Sequence, residues 1–148
     1  MTNAAEGPTG GIVVGIDGSD SSIAALGWAA KQAELTGSRL QVIVTWEWPA
    51  DFGWAPPLSP EYTPETDARR VLDEAIGQVR RTHPEVDVRS TLIKGHPAPV
   101  LINASRGAEL LVLGSRGHGE FVGMLLGSVS EHCVTHAHCP VLVLRCQE

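Results

Sequence analysis

The chain alternates apolar runs with amphipathic stretches, and this alternation predicts its secondary structure. Residues 12–16 form a continuous apolar run, which is typical of a strand buried on both faces of a parallel sheet. Residues 110–113 show the same pattern, whereas apolar and polar positions alternate over residues 88–93. Strands are predicted at residues 12–16, 40–46, 88–93, 110–113 and 140–145.

Amphipathic segments between these runs predict helices with recognisable ends. Asp20 or Ser21 is a suitable N-cap for the first helix, and Gly37 is a suitable stop. Thr63 is the expected N-cap of the second helix, with Pro64 at its first position. Helices are therefore predicted near residues 21–36, 64–82, 97–105 and 128–136. Their expected buried faces include Ile23, Leu26, Ala30 and Ala33 in the first helix and Val71, Leu72, Ala75 and Val79 in the second.

The alternating order of strands and helices predicts a single α/β domain. Right-handed crossovers place helices on both faces of an open, five-stranded parallel sheet, in a Rossmann-like arrangement. The domain is expected to span residues 12–148, after a loose tail at residues 1–11. Ligands of such sheets bind beyond the carboxyl ends of the strands, where the strand order reverses. If the first and fourth strands are neighbours there, Asp17 and Gly114 face one crevice.

Composition and charge narrow the possible functions. The chain has 148 residues, of which 43% are hydrophobic and 19% charged, as in soluble globular proteins. The net charge of −6 argues against a general nucleic-acid binder. No apolar run reaches the roughly 20 residues of a membrane span, and the first residues do not resemble a secretory signal. Three cysteines, an odd number, suggest reduced thiols and a cytoplasmic location.

The segment after the fourth strand is rich in glycine and reads GSRGHGEFVGMLLGS over residues 114–128. Glycines let a ligand approach the main chain, and the N-terminus of the following helix attracts anions. The Ser128 and Ser130 hydroxyls can donate to phosphate oxygens, and Arg116 and His118 add positive charge. These features predict a polyphosphate site. The segment has no Gly-Lys-Ser/Thr P-loop, and its faint likeness to a dinucleotide fingerprint follows the fourth strand rather than the first.

The glycine spacing resembles a known signature. Gly114, two residues, Gly117, nine residues and then Gly127-Ser128 closely resemble the nucleotide-binding signature of the universal stress protein family. The opening VVGIDGSDSS and the closing HCPVLVLR resemble the first and last strands of that family, so the likeness extends from residue 12 to residue 145. The resemblance implies an adenine nucleotide alpha hydrolase-like fold that binds ATP, usually as a homodimer.

The resemblance also implies roles for individual residues. Asp17 should meet the ribose or base of the adenosine, and Thr45 should contact adenine. A divalent ion, Mg²⁺ or Mn²⁺, can accompany the phosphates, although the Arg116 guanidinium could partly replace it. The complete set of implied nucleotide-binding residues is Gly15, Ile16, Asp17, Thr45, Gly114, Arg116, Gly117, Gly127, Ser128, Val129 and Ser130.

Several features also have plainer interpretations. Asp17 could be a turn former or helix cap, which are common roles for aspartate. His132 and His136 share a helical face near Cys133 and Cys139, but the spacing does not predict a closed zinc site. Trp46 could either stack near adenine as part of a lid or cover the edge of the core. The arginines of the second helix are expected to form a solvated face: Arg69, Arg70, Arg80 and Arg81.

The last strand, if it lies at a sheet edge, favours pairing with a second copy. The resemblance implies the same homodimer through Val141, Leu142, Val143 and Leu144. Alternatively, the N-terminal tail covers this edge.

The leading functional hypothesis is a cytoplasmic, ATP-binding regulator of stress or dormancy that acts through nucleotide-dependent conformational change and dimerisation. No general base or nucleophile arrangement is evident, so any ATPase activity should be slow. One alternative is an adenylating enzyme of the ATP-pyrophosphatase type, although Asp17 would repel phosphates in the first-strand loop. Another is a dimeric scaffold without nucleotide.

Overall fold

The computed structural model describes residues 10–48, 63–115 and 126–145. They form five strands and four helices in strict alternation. In chain order the elements are β1 (Ile12–Gly15), α1 (Asp20–Thr36), β2 (Leu40–Trp46), α2 (Pro64–Thr82), β3 (Val88–Lys94), α3 (Pro97–Ala104), β4 (Leu110–Gly114), α4 (Ser128–His136) and β5 (Val141–Leu144).

The five strands form one parallel sheet in the order β3-β2-β1-β4-β5. From β1 the chain first moves outward to β2 and β3, and then returns to β4 on the other side of β1. Ile12 of β1 pairs with Leu40 of β2 on one side and with Leu110 of β4 on the other. The order therefore reverses between β1 and β4, which confirms the predicted fold class and the predicted neighbours.

Two apolar layers enclose the sheet. One layer packs α1 and α2 against one face and includes Leu26, Leu72 and Val79. The other packs α3 and α4 against the opposite face and includes Leu101 and Cys133. Because both faces are covered, the central strand β1 is buried along its whole length, as its apolar run predicted.

The helix ends follow the sequence signals with one correction. Thr63 caps α2, because its hydroxyl accepts a hydrogen bond from the Thr66 amide at 3.0 Å. Gly37 ends α1 in the left-handed conformation, at φ 70°. The cap of α1, however, is Ser19 rather than Asp20 or Ser21.

The buried face of α1 also differs from the prediction. Ile23 is only partly buried, whereas Ser21 and Ser22 are buried beside Leu26, Ala30 and Ala33. In α2 the buried side chains are Ala68, Leu72, Ala75, Ile76 and Val79, while Val71 is half-buried.

The sequence predicts a loose tail through residue 11, but Gly10 and Gly11 are hydrogen-bonded to the domain. The Gly10 amide donates to Gly107 O at 3.0 Å, and Gly11 O accepts from the Glu109 amide at 2.8 Å. Residues 49–62, most of the glycine-rich segment and Cys146 lie outside the described residues. Within the described ranges, no helix is both long enough and apolar enough to cross a membrane.

Candidate functional site

A cleft opens at the carboxyl ends of β1, β2 and β4, where the strand order reverses. It encloses about 590 Å³ of empty space, including the part open to solvent. The turn after β1 and the first turn of α4 border it on different sides. Its lining residues are Gly15, Ile16, Asp17, Ser22, Ile43, Thr45, Pro97, Leu101, Leu113, Gly114, Gly127, Val129 and Ser130. This is the place that the topology favours for a ligand.

Asp17 lies in the tight turn that joins β1 to α1. Its Oδ1 accepts a hydrogen bond from the Ser19 amide at 2.9 Å, and its own amide donates to Ser22 Oγ at 3.3 Å. Ser22 Oγ in turn donates to Ser19 O at 2.9 Å, which allows this polar side chain to be buried. Asp17 is therefore a turn former, as the plainer interpretation predicted, and it also borders the cleft.

Gly114 ends β4 against the first turn of α1. A Cβ atom built on Gly114 would lie 2.7 Å from the carbonyl carbon of Ser21 and 2.8 Å from its oxygen. Both atoms belong to the backbone, so they cannot move aside cheaply. Among the described glycines with positive φ, Gly114 does not appear. A glycine is thus required here by close packing between strand and helix.

Gly15 has a similar role on the other side of the sheet. A Cβ atom there would approach the two terminal carbons of Leu101 at 2.7 and 2.8 Å. Leu101 belongs to α3 and lines the cleft, so a side chain at Gly15 would displace part of the cleft wall. Gly15 therefore sets the shape of the cleft.

The first turn of α4 is fastened to the end of β4. The Ser130 hydroxyl donates to Gly114 O at 2.6 Å, and the Gly127 amide donates to Ser115 O at 2.6 Å. A hydroxyl has one proton to donate, so in this conformation Ser130 does not offer it to a phosphate. Gly127 caps α4, and the partial positive charge of the helix N-terminus lies at the cleft.

An apolar wall completes the cleft, and the sequence pattern does not predict most of it. Ile43, Leu113 and Leu101 form this wall together with Pro97. For Ile43 and Leu113 the sequence predicts only buried strands, because periodicity does not show which core residues reach the end of a sheet. For Pro97 and Leu101, the available signal was that α3 starts just after the carboxyl end of β3.

Eight of the eleven residues predicted from the sequence line this cleft: Gly15, Ile16, Asp17, Thr45, Gly114, Gly127, Val129 and Ser130. Ser128 begins α4 and is exposed, and it is not part of the lining. Arg116 and Gly117 lie outside the described residues.

Trp46 is the last residue of β2, and Trp48 follows just after it; neither residue lines the cleft. Trp46 packs against the core layer of α1 and α2, as its core-covering interpretation predicted. Its ring meets Trp48 edge to face, with 6.1 Å between the ring centres, and Lys94 Nζ lies 5.7 Å from its centroid.

The thiol of Cys133 is fully buried on the side of α4 that faces the sheet. Removal from water raises the pKa of Cys133 to about 11, because burial disfavours the thiolate. It packs with Leu101 and Leu111 as a small apolar residue. No group of three or more His, Cys, Asp or Glu side chains suited to a metal ion occurs in the described part of the chain.

A doubly wound sheet with an open cleft at its switch point defines the class: an α/β protein with a Rossmann-like crevice. The sequence model of the Universal stress protein family matches residues 10–145. The chain belongs to this family.

Curated relatives support the assignment. The chain is 35% identical over 135 residues to a universal stress protein of Mycolicibacterium smegmatis, and the match covers 90% of this chain and 45% of that protein. It is 36% identical over 141 residues to a universal stress protein of Mycobacterium tuberculosis strain H37Rv, and the match covers 90% of this chain and 47% of that protein. The chain thus spans about half the length of these relatives.

Solved structures share the fold. A crystal structure of a universal stress protein in complex with cAMP matches with a TM-score of 0.67 and 26% identity, covering 92% of this chain and 96% of that one. UspA from Lactobacillus plantarum matches with a TM-score of 0.71 and 20% identity, covering 93% and 98%. A universal stress protein from Archaeoglobus fulgidus in complex with dAMP matches with a TM-score of 0.64 and 22% identity, covering 91% and 97%.

Proposed function

We propose that this protein binds ATP in the switch-point cleft and acts as a nucleotide-dependent regulator rather than as an enzyme. The observation that supports this most directly is the convergence of eight predicted residues, from four separate segments of the chain, on one cleft. Related proteins in complex with cAMP and dAMP add weight, because both ligands are adenine nucleotides.

The cleft offers a different environment for each part of the nucleotide. The apolar wall of Ile43, Leu101 and Leu113 provides a surface for the adenine ring, with the Thr45 hydroxyl available as a polar contact. The carboxylate of Asp17 can accept hydrogen bonds from ribose hydroxyls. The first turn of α4 attracts the phosphates.

The charge of ATP needs compensation in this cleft. Asp17 is anionic, and the partial charge at the start of α4 is only about half a positive charge. We therefore expect Mg²⁺ or Mn²⁺ to accompany the phosphates, with Arg116 as a further source of positive charge. Phosphate oxygens and water would supply most ligands of such an ion, as is usual for Mg²⁺.

Regulation would follow from differential binding. A nucleotide changes a conformational equilibrium only if it contacts one conformation better than another. The cleft lies between the start of α4 and the ends of β1, β2 and β4. A bound nucleotide can therefore favour one position of α4 next to the edge strand β5. We propose that this position influences a homodimer through Val141, Leu142, Val143 and Leu144, in a cytoplasmic response to stress or dormancy.

Calorimetric titration with Mg·ATP tests the proposal. Two variants each replace a valine of α4 with phenylalanine, one at a position that lines the cleft and one at a position outside it. Val129→Phe fills the cleft and should weaken ATP binding at least about tenfold, a loss of roughly 1.4 kcal/mol. Val134→Phe adds the same ring on the same helix, at a side chain that is 50% exposed, and should leave binding unchanged. Equal affinities for both variants, or no heat with the unmodified protein, would contradict the proposal.

Product analysis separates this function from its alternatives. Retained ATP is expected for a binding protein, whereas AMP with pyrophosphate would indicate an adenylating enzyme. Protein purified from cells without any nucleotide, and unable to bind one afterwards, would indicate a scaffold.

A further inference from the structure

Two histidines form a pair on the solvent-facing side of α4, outside the nucleotide cleft. His132 and His136 are four residues apart, so they lie one turn apart on the same helical face. Both are exposed, and their ring centres are 6.4 Å apart with 34° between the ring planes. Neither residue lines the cleft, and nothing in the proposed nucleotide site uses them.

The hydrogen bond of His132 determines which nitrogen is available. His132 Nδ1 lies 2.9 Å from Ser128 O. A carbonyl oxygen can only accept, so Nδ1 has the proton, and in the neutral ring the Nε2 lone pair is available. Metal-binding histidines commonly donate one ring nitrogen to a backbone carbonyl and coordinate through the other. The α4 backbone therefore holds His132 in the tautomer that a metal requires.

The geometry brings the two rings close to the spacing of a chelate. With Zn–N bonds of about 2.0–2.1 Å, each ring centre lies roughly 3.2 Å from the metal, so two imidazoles on a tetrahedral ion have centres roughly 5 Å apart. The rings must approach each other by roughly 1 Å. Since both side chains are exposed, a small change in their torsion angles can achieve this. The pair also lies in the C-terminal half of α4, where the helix dipole favours a cation.

From these observations we propose that His132 and His136 form a surface chelate for a divalent transition-metal ion, with Zn²⁺ as the physiological candidate. Imidazole suits Zn²⁺, Cu²⁺ and Ni²⁺, whereas Mg²⁺ and Ca²⁺ prefer oxygen ligands. Cys133 is adjacent in sequence but fully buried on the other side of the helix, so it does not join the site. Two protein ligands leave the remaining coordination positions to water.

Zn²⁺ titration of the untagged, nucleotide-free full chain tests this site. The unmodified protein should bind one equivalent of Zn²⁺ at this site, and its melting temperature should rise. Either His132→Gln or His136→Gln alone should abolish both the bound equivalent and the thermal shift. His138→Gln is the matched control, because His138 is also exposed but lies beyond the end of α4. It should retain both the bound equivalent and the thermal shift. Unchanged stoichiometry in the two test variants, or its loss in the control, would overturn the proposal.

A spectroscopic measurement tests the tautomer separately. In ¹⁵N spectra of the imidazoles, Zn²⁺ should shift the Nε2 resonance of His132 while Nδ1 keeps its proton. A shift confined to Nδ1 would contradict the assignment even if the stoichiometry agreed. Because no nucleotide is present in either experiment, failure of this site leaves the ATP proposal unaffected, and the reverse also holds.

Discussion

Gly27, inside α1, and Gly114, which packs against α1, should respond in opposite ways to one added methyl group. A Cβ at Gly114 meets the Ser21 backbone at 2.7 and 2.8 Å, whereas a Cβ at Gly27, within α1, has no neighbour within 4 Å. Gly114→Ala should therefore lower the free energy of unfolding by about 1–3 kcal/mol through overpacking. Gly27→Ala should raise it by about 0.5–1 kcal/mol, because alanine restricts the unfolded chain and favours a helix.

Urea unfolding followed by circular dichroism measures both changes, and each variant serves as the control for the other. A Gly114→Ala protein as stable as the unmodified one would show that β4 and α1 can separate locally. Loss of stability in Gly27→Ala would show that this helix position is less open than its surroundings indicate.

The signature glycines Gly114 and Gly127 show how much a spacing pattern can predict. The signature identified Gly114 and Gly127 as site residues, and both line the cleft. The physical reason expected for Gly114 was approach of a ligand to a bare backbone, whereas the structure gives close packing against Ser21. A sequence can show that a side chain is absent, but not which neighbour excludes it.

Cys133 should make the stability of the protein depend on pH in the alkaline range. Burial raises the pKa of its thiol from the ordinary 9.0 to about 11. Between these values the unfolded chain loses the proton while the folded chain keeps it, so stability is full below pH 9 and falls as the pH rises towards about 11.

Urea midpoints at pH 8 and 10.5 measure this effect, with Cys133→Ala as the comparison, since other groups titrate in both proteins. The midpoint of the unmodified protein should fall more between the two pH values than that of Cys133→Ala. Equal decreases would show that the thiol does not contribute.

At the scale of elements, the N-terminus of α2 depends on one side chain. Thr63 Oγ1 accepts from the Thr66 amide at 3.0 Å, and Pro64 follows at the first helical position. Thr63→Ala should lower stability by about 1 kcal/mol, because an amide of the first turn loses its acceptor. Thr63→Ser keeps the oxygen and should cost much less. Thermal unfolding of the two variants distinguishes loss of the cap from loss of the methyl group, since only the latter is common to both.

The start of α1 shows why such signals can fail. Ser19, Asp20 and Ser21 are all good cap residues, and their sequence alone does not rank them. The choice depends on tertiary structure: Ser21 packs against Gly114, and Ser22 is buried with its hydroxyl hydrogen-bonded to Ser19 O. Two serines thus occupy the buried face that was predicted for Ile23, and the Ser22 hydroxyl tolerates burial because it is hydrogen-bonded within the same turn.

For the whole molecule, the order of elements could be predicted with more success than their details. Alternating strands and helices determine a parallel sheet with covered faces, and the polar turn after β1 and the glycines after β4 indicated the switch point. The cleft wall could not be predicted in the same way, because Ile43, Leu101 and Leu113 look like ordinary core residues in the sequence. Which core residues border an open crevice depends on the relative lengths of neighbouring strands and helices.

The edge strand β5 allows a specific test of the proposed homodimer. The Leu111 amide donates to Pro140 O and the Ser115 amide donates to Leu144 O, both at 2.9 Å. Alternate residues of a strand turn their backbone N–H and C=O groups to opposite sides. Since the carbonyls of Pro140 and Leu144 face β4, the N–H and C=O groups of Val141 and Val143 point away from β4. Proline at position 143 would therefore remove an outward N–H and leave the pairing with β4 intact.

Val143→Pro should convert a dimer into a folded monomer, as measured by light scattering against the chain mass of 15.7 kDa. Val143→Thr is the matched control, because threonine is also β-branched and keeps the N–H, so it should remain dimeric. Far-ultraviolet circular dichroism should be nearly the same for all three proteins. A Val143→Pro protein that is still dimeric would place the interface elsewhere, and an unmodified protein of 15.7 kDa in solution would exclude the homodimer.

If occupancy of the cleft is coupled to this edge, Mg·ATP should shift the dimerisation constant of the unmodified protein. Val129→Phe should dimerise equally with and without Mg·ATP, because linkage requires that the nucleotide bind.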